Sequence, residues 1–198
     1  MGRPREHDEE TGAALLDAAE RIVEADGLRA LSVRRVADEA GTTTRAVYTV
    51  FGSKNGLIVA LGRRTFDWLA SAVDELSVRD DPVEDLAEAG VRVFRRLVVN
   101  HPALFTIGVQ HRDVPPDLAA QFRPAADTAM TRLLARFQRL HELGLLHRRR
   151  VKDVACEFHA LCEGLAMLEL RGIIAKGRAE RIWRDALTAL VAGLTGSS

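Results

Sequence analysis

The chain has 198 residues, of which 47% are apolar and 28% charged, and its formal net charge at pH 7 is zero. This length can bury one medium core or two small ones, and the composition is ordinary for a globular protein. No apolar run approaches the roughly 20 residues that a membrane-spanning helix needs, which argues against a transmembrane segment. Zero net charge, taken alone, also argues against a nucleic-acid partner.

The first residues and the cysteines together predict a compartment. Residues 1–5 lead into acidic residues instead of an apolar stretch, so we expect no signal peptide. Cys156 and Cys162 lie on one predicted helix, about 120° out of register, and cannot pair within it. A reducing cytoplasm is therefore the expected location.

Positive charge is concentrated in residues 28–64. This segment has seven cations and two acids, which gives it a charge of +5 against −5 for the rest of the chain. Such a basic surface is the expected footprint of phosphate contact, although solvated helix faces would have the same composition. The cations are Arg29, Arg34, Arg35, Arg45, Lys54, Arg63 and Arg64, and the acids are Asp38 and Glu39.

Apolar residues recur with a helical period, and no strand-like alternation of useful length is present, so we predict an all-α protein. The first predicted helix covers residues 13–25, and a left-handed Gly27 ends it. Its buried stripe is predicted to be Ala14, Leu15, Ala18, Ala19, Ile22 and Val23.

Two short helices and a long one follow. Ser32 is placed to cap a helix over residues 32–40, and Gly41 ends it. Thr43 caps the next helix, over residues 43–51, and Ser53 caps a long helix that opens at Lys54. The buried face of the first short helix is predicted to be Val33, Val36, Ala37 and Ala40.

Two short helices joined by a glycine turn predict a helix-turn-helix, with the second helix protruding over small residues at positions 37, 40 and 46. A protruding helix of about eight residues can enter the major groove and read base edges there. Threonine hydroxyls and helix N-termini suit phosphate, and arginine suits a guanine edge. The predicted DNA-binding residues are Ser32, Arg34, Thr43, Thr44, Arg45, Tyr48, Thr49 and Lys54. A three-helix bundle with a polar face is the alternative.

Residues 14–61 resemble the DNA-binding domain of TetR-family regulators. The motifs that carry the resemblance are Asp26-Gly27-Leu28, Ser32-Val33-Arg34-Arg35-Val36-Ala37, Ala40-Gly41, Ala46-Val47-Tyr48 and Phe51-Gly52-Ser53-Lys54. The resemblance implies a homodimer that binds palindromic operators through residues 1–56. It also implies that residues 57–198 sense a small molecule and release DNA. On matching positions, it makes Ser32, Thr43, Thr44, Tyr48 and Lys54 phosphate or base contacts.

Three positions depart from the family pattern. Thr42 stands where an apolar residue is usual, Arg45 where a small residue is frequent, and Val50 where histidine or asparagine is common. These departures leave the operator sequence unpredicted.

The rest of the chain predicts further helices. Asp81-Pro82 starts one, residues 100–102 form a break, residues 114–116 open a loop, and a helix from near Asp117 ends at Gly144. Two final helices are predicted at about 151–171 and 179–194. In the resembled family such a pair packs against its copy, so we expect the dimer interface there; completion of a monomer core is the alternative. Apolar residues of this pair are Ala166, Met167, Leu170, Leu187, Leu190 and Val191.

Candidate effector contacts are Phe105, His111, Phe122, Phe137, His159 and Glu163. This composition favours a small, mostly apolar effector held by one or two polar groups, with ordinary core packing as the alternative for the aromatic residues. Cys156, His159 and Glu163 share a helix face with donors that zinc accepts. Three donors from one helix rarely close a site, however, so we expect no metal and no cofactor. We expect the basic run at 147–152 to be a solvated loop and not a second DNA site.

No nucleophile elbow, phosphate-binding loop or zinc-protease motif is present, so we expect no catalytic residues. We predict a ligand-responsive transcriptional regulator, and a repressor in particular, since occupancy alone blocks a promoter. A helical adaptor that binds only protein is the alternative. An effector would act by shifting the population between two arrangements of the reading heads, with the helix that opens at Lys54 as the lever.

Overall fold

The computed structural model describes residues 3–196, with side chains described from residue 10 onward. Met1 and Gly2, which entered the expectation of no signal peptide, lie outside that range. Every regular element within it is helical, which confirms the all-α prediction. The α-helices are α1 (Arg3–Asp26), α2 (Val33–Glu39), α3 (Thr44–Phe51), α4 (Lys54–Glu75), α5 (Pro82–Ala89), α6 (Arg96–Asn100), α7 (Pro102–Leu104), α8 (Pro116–Ala119), α9 (Arg123–Glu142), α10 (Val151–Leu170) and α11 (Lys176–Thr195).

Four shorter helical segments connect these elements. Leu28–Ala30 and Ala120–Phe122 are 3-10 turns, and Gly90–Arg95 and Phe105–Val109 are π-helical. The first π segment lies inside a continuous helical run from α5 to α6, and the second continues α7. None of the described helices combines the length and apolar character needed to cross a membrane.

The first helix differs from its prediction at both ends. It starts at Arg3, well before residue 13. Ala14 is exposed, so its place in the predicted buried stripe was wrong. A helix turns about 100° per residue, which puts position 14 beyond the edge of the arc that Leu15, Ala18 and Ile22 bury. Gly27 has the predicted positive φ, +78°, but its ψ of 169° is extended and not left-handed helical.

The chain forms two compact units. The first comprises Met1–Phe66 with His101–Ala126, and the second Asp67–Asn100 with Asp127–Ser198, so that α4 and α9 contribute to both. The predicted domain boundary between residues 56 and 57 separates DNA-binding residues from effector-binding residues. The two compact units describe packing alone, so this boundary stays a prediction.

In the first unit, α1 packs against α2, α3 and α7. Its core includes Leu15, Val36, Val47 and Leu57, all fully buried. Two close approaches tighten the same unit. A Cβ on Gly62 would lie 2.4 Å from the Phe122 ring, and one on Gly108 would lie 2.6 Å from Thr65. Only glycine permits these contacts without a shift of the neighbouring chain.

In the second unit, α5 and the π segment Gly90–Arg95 pack against α11. The indole of Trp183, which is fully buried, donates to a Glu169 carboxylate oxygen at 2.8 Å. The same carboxylate accepts two bonds from the Arg95 guanidinium, at 3.0 and 3.1 Å. A second arginine, Arg136, is buried against Asp85 at 2.7 Å and also donates to the Val73 carbonyl. These bonds satisfy charged groups that would otherwise be costly to bury.

Most of the C-terminal helix boundaries agree with prediction. Asp81 caps α5 with Pro82 at its first position, and the chain breaks at His101 before α7. The last two helices lie within a few residues of the predicted 151–171 and 179–194.

One helix was predicted wrongly. The single helix from near Asp117 to Gly144 is in fact α8, a 3-10 turn and α9, which opens at Arg123. Pro124 explains the interruption, because proline donates no backbone hydrogen bond and its ring clashes with the preceding turn of a continuing helix.

Candidate nucleic-acid interface

The turn between α2 and α3 is built from local hydrogen bonds. The Ser32 hydroxyl accepts from the Arg35 amide at 3.2 Å, and the Thr43 hydroxyl accepts from the Ala46 amide at 3.3 Å. Both residues are therefore the predicted N-caps. Gly41 has φ +65°, a conformation that side chains with a Cβ rarely adopt, and this reverses the chain between the two helices.

Burial divides α3 into two faces. Val47 is fully buried and Ala46 half-buried, where α3 packs on α1 and α2. In α2, Val36 and Ala37 are buried as predicted, whereas Val33 and Ala40 are only half-buried. They lie at the two ends of this short helix, where fewer neighbours cover a side chain.

The outer face of α3 has the residues that were predicted to read DNA. Thr44, Arg45, Tyr48 and Thr49 are all exposed, and their spacing puts them within one arc of about 140°. Tyr48, the only tyrosine in the sequence, is 55% exposed. An aromatic side chain this open on a short helix is available to a partner.

The hydroxyl of Thr49 has a partner within the helix. Its Oγ1 donates to the Arg45 carbonyl oxygen at 2.9 Å, one turn earlier. The hydroxyl proton is therefore not available to a second acceptor, and the methyl group is left for apolar contact.

A second helix N-terminus lies next in sequence. Gly52, at φ +72°, ends α3, and the Ser53 hydroxyl accepts from the Gly56 amide at 3.0 Å to cap α4. Lys54, the first residue of α4, is exposed. Helix N-termini carry a partial positive charge and suit a phosphate group, so α4 adds to the charge that Lys54 supplies.

Part of the predicted basic charge is already neutralised. Acids from outside residues 28–64 pair with three of the seven cations: Asp113 with Arg29, Asp26 with Arg35, and Asp17 with Arg64. Arg34 is exposed and lies 3.9 Å from Asp38, a loose contact in the same helix. Among residues with described side chains, no ion pair includes Arg45 or Lys54, so these cations are free for an anionic partner.

All eight predicted DNA-binding residues are exposed, on α2, on α3, on the N-caps of these two helices and on the first residue of α4. Their contacts with DNA stay predictions. The residues are Ser32, Arg34, Thr43, Thr44, Arg45, Tyr48, Thr49 and Lys54.

The six predicted effector contacts are divided between the two units. Phe105, His111 and Phe122 belong to the first unit, and Phe137, His159 and Glu163 to the second. The three phenylalanines are buried, as core packing also requires. His111 is exposed, with φ +52°, and its ring meets the Phe122 ring edge-on at 5.8 Å between centroids. Their role in binding an effector stays a prediction.

In the second unit, His159 packs edge-on to Phe94 and lies 3.8 Å from Glu163. Burial lowers the pKa of His159, and the nearby Glu163 charge opposes that shift only in part. Cys156, which with His159 and Glu163 forms the set of possible zinc donors on this helix, is exposed and does not converge with the other two. The run at 147–152 is largely exposed, and Arg149 pairs with Glu157 at 3.2 Å.

One cluster of polar residues in the first unit was not predicted from the sequence. His101 Nδ1 lies 2.7 Å from Glu20 Oε1, and Glu24 accepts from the Ala103 amide at 2.9 Å. Burial raises the pKa of Glu24, with backbone bonding at Ala103 opposing and Glu20 adding to the rise. Some 80 residues separate the partners, so no local pattern could have indicated the cluster.

Comparison with known proteins gives a family match over residues 15–61, to the family described as bacterial regulatory proteins, tetR family. No curated relative matches the chain. A Rhodococcus sp. RHA1 protein of unknown function has a similar structure, with 21% identity, a TM-score of 0.82, and coverage of 94% of this chain and 96% of that chain.

Two named transcriptional regulators have a similar fold. The TetR-family transcriptional regulator PfmR from Thermus thermophilus shares 22% identity with a TM-score of 0.67, over 89% of this chain and 96% of its own. FadR from Bacillus subtilis, in complex with stearoyl-CoA, shares 15% identity with a TM-score of 0.77, over 91% and 98%. Residues 15–61 thus match the tetR family of bacterial regulatory proteins, and the chain shares the all-helical fold of these solved structures.

Proposed function

We propose that this protein is a cytoplasmic repressor that binds a palindromic operator as a homodimer and releases it when a small, mostly apolar effector binds. The observation that carries the proposal is the outer face of α3, where Arg45 and Tyr48 are exposed above a buried Val47. This arrangement supports insertion of α3 into a major groove, with the caps of α3 and α4 on the phosphates.

The DNA-binding part is tested with the full chain and a duplex that spans the region upstream of its own gene. We expect Arg45→Ala and Tyr48→Ala to lower affinity at least tenfold in fluorescence anisotropy while the oligomer mass stays unchanged. Each bidentate base contact is worth about 1–3 kcal/mol, which sets that scale. Arg148→Ala is the matched control, since Arg148 is an exposed cation in the loop before α10.

Three outcomes would count against DNA reading by α3. Equal losses in Arg148→Ala would indicate a non-specific charge effect. Loss of folding in both α3 variants, seen by circular dichroism, would indicate that these side chains are structural. Binding that is insensitive to salt would favour a protein-only adaptor.

The proposed dimer uses α10 and α11. Ala166, Leu187 and Val191 are buried within one protomer, so they serve its core. Leu168, Leu170 and Ile173 are 37%, 40% and 60% exposed, and they supply an apolar surface that a second copy would cover.

Light scattering tests this interface. We expect a dimer mass for the wild type and a monomer mass for Leu170→Glu, since a charge in an apolar interface is unpaired. Leu143→Glu is the control, because Leu143 is a comparably exposed leucine at the end of α9. A dimer that survives Leu170→Glu and Ile173→Glu together would place the interface elsewhere.

The proposal of an apolar effector is based on the aromatic residues of each unit and on a similarity in fold to one regulator. The FadR structure of similar fold contains stearoyl-CoA. A panel of fatty acids, acyl-CoA thioesters and neutral aromatics tests the class, with the melting temperature and release of bound DNA as readouts. Failure of every apolar compound on both readouts would contradict the proposal. A reporter gene that rises when the regulator is deleted would support repression, and one that falls would indicate activation.

A further inference from the structure

Glu20, Glu24 and His101 bring three metal-binding side chains together in the first unit. Glu20 and Glu24 lie one turn apart on the same face of α1, and His101 lies in the break before α7. One carboxylate oxygen from each glutamate and one ring nitrogen of His101 all lie within 4.8 Å of one another. Among residues with described side chains, this is the only such group of three.

The neighbours of these residues hold them in position. The second oxygen of Glu20 accepts from Arg64 Nε at 3.2 Å, and Arg64 also pairs with Asp17. Glu24 is fixed by the Ala103 amide at 2.9 Å. Each carboxylate is thus oriented by a donor from outside the group of three, as outer-shell partners do in metal sites.

The local charge favours a cation. Asp17 and Glu20 share the single guanidinium of Arg64, Glu24 adds a third carboxylate one turn from Glu20, and the side chain of Glu20 is only 12% exposed. The carboxylates therefore outnumber the arginine at a partly buried position. A divalent cation would offset this excess of acidic groups.

We propose that Glu20, Glu24 and His101 bind a divalent transition-metal cation of the zinc or manganese class, with water completing its coordination. Two carboxylate oxygens and one imidazole nitrogen form a donor set that Zn²⁺, Mn²⁺, Fe²⁺ and Co²⁺ accept. Metal–ligand distances of about 2.0–2.2 Å put the donor atoms about 3.3 Å apart. The hydrogen bond between His101 and Glu20 therefore opens slightly, and the Glu24 side chain closes by a change of rotamer.

The alternative is a hydrogen-bonded cluster that takes no ion. Titration of the chelator-treated full chain separates the two. We expect one Co²⁺ per protomer by absorption spectroscopy, with d–d bands and no thiolate charge-transfer band, and one Zn²⁺ per protomer by calorimetry. Zn²⁺ should also raise the melting temperature of the wild type.

The variants assign the site. We expect Glu24→Gln, which keeps the shape of the side chain, and His101→Gln to lower Co²⁺ affinity at least tenfold and to remove the rise in melting temperature. Cys156→Ser and His141→Gln are controls, since each replaces an exposed donor far from the cluster in sequence. Circular dichroism checks the fold of each variant.

Three results would overturn the proposal: no stoichiometric binding, binding that survives Glu24→Gln, or loss of binding in Cys156→Ser. If His101→Gln does not fold, Glu24→Gln and the cobalt spectrum decide. No readout uses DNA, so the result is independent of the operator and the effector.

Discussion

Thr49 illustrates how one hydrogen bond changes the expected role of a side chain on the reading helix. Its hydroxyl donates to the Arg45 carbonyl, so this proton is not available to a phosphate, and the methyl is left for an apolar contact. A thymine methyl is a natural partner for such a group. We expect Thr49→Val to change operator affinity by no more than about threefold, since a net hydrogen bond is worth about 1 kcal/mol and none to DNA is lost. Anisotropy titration measures this.

A tenfold loss in Thr49→Val would show that the hydroxyl itself contacts DNA. Replacing thymine by uracil in a selected operator completes the test. Removal of the base methyl should weaken the wild type and Thr49→Val equally, and should leave Thr49→Ser unaffected.

His159 gives a pH prediction. Burial lowers its pKa from the ordinary 6.5, so at mildly acidic pH the folded protein binds fewer protons than the unfolded chain. The free energy of unfolding therefore rises with pH through this region and falls as the pH drops below 6.5. We expect urea denaturation at pH 8 and pH 5.5 to show a smaller loss of stability in His159→Gln than in the wild type. Equal losses would mean that His159 titrates alike in both states.

At the scale of single residues, exposure on α3 was predictable because it depends on the helical period alone. Val47 faces inward and Tyr48 outward because adjacent residues point about 100° apart on a helix. The neutralisation of Arg29 by Asp113 was not predictable, since it depends on contacts between distant segments. For the same reason the charge of residues 28–64 overstated the free positive charge.

The caps at the helix N-termini allow a matched test at the scale of elements. Thr43 caps α3 and Asp81 caps α5 through the same kind of bond, at 3.3 and 2.8 Å. Loss of such a cap costs about 1 kcal/mol, so we expect Thr43→Ala and Asp81→Ala to destabilise their helices similarly in chemical denaturation. Only Thr43→Ala should also weaken DNA binding. A similar loss of affinity in Asp81→Ala would mean that stability, and not a direct contact, is being measured.

Helices whose ends are marked by N-cap residues or glycines were predicted well. The beginnings of α2, α3 and α4 and the end of α2 depend on bonds and backbone conformations within a few residues. The residues that determine them are Ser32, Gly41, Thr43 and Ser53. The error at α8 and α9 shows the limit. The helical period of the apolar residues continues across Pro124, so periodicity alone predicts one unbroken helix. The proline ring interrupts that helix by a steric effect that periodicity does not include.

For the whole molecule, zero net charge does not prevent salt-dependent DNA binding, because free cations are concentrated at the ends of α3 and α4. A dimer with about six phosphate contacts should have a slope near −5 in a plot of log K against log salt concentration. Lys54→Gln removes one contact per protomer and should reduce the slope by about 2. Lys152→Gln, which removes an exposed cation in the first turn of α10, should leave it unchanged. A flat plot for the wild type would contradict phosphate binding.

The π segment Gly90–Arg95 places one extra residue in the run from α5 to α6. Deletion of one residue there would let the run close as an ordinary helix, but α6 would rotate by about 100° relative to α5. Leu97 and Val98, both fully buried, would then leave their places in the core. A deletion that moved another residue into position 90 would add a clash, because a Cβ there would lie 2.3 Å from the Leu187 side chain.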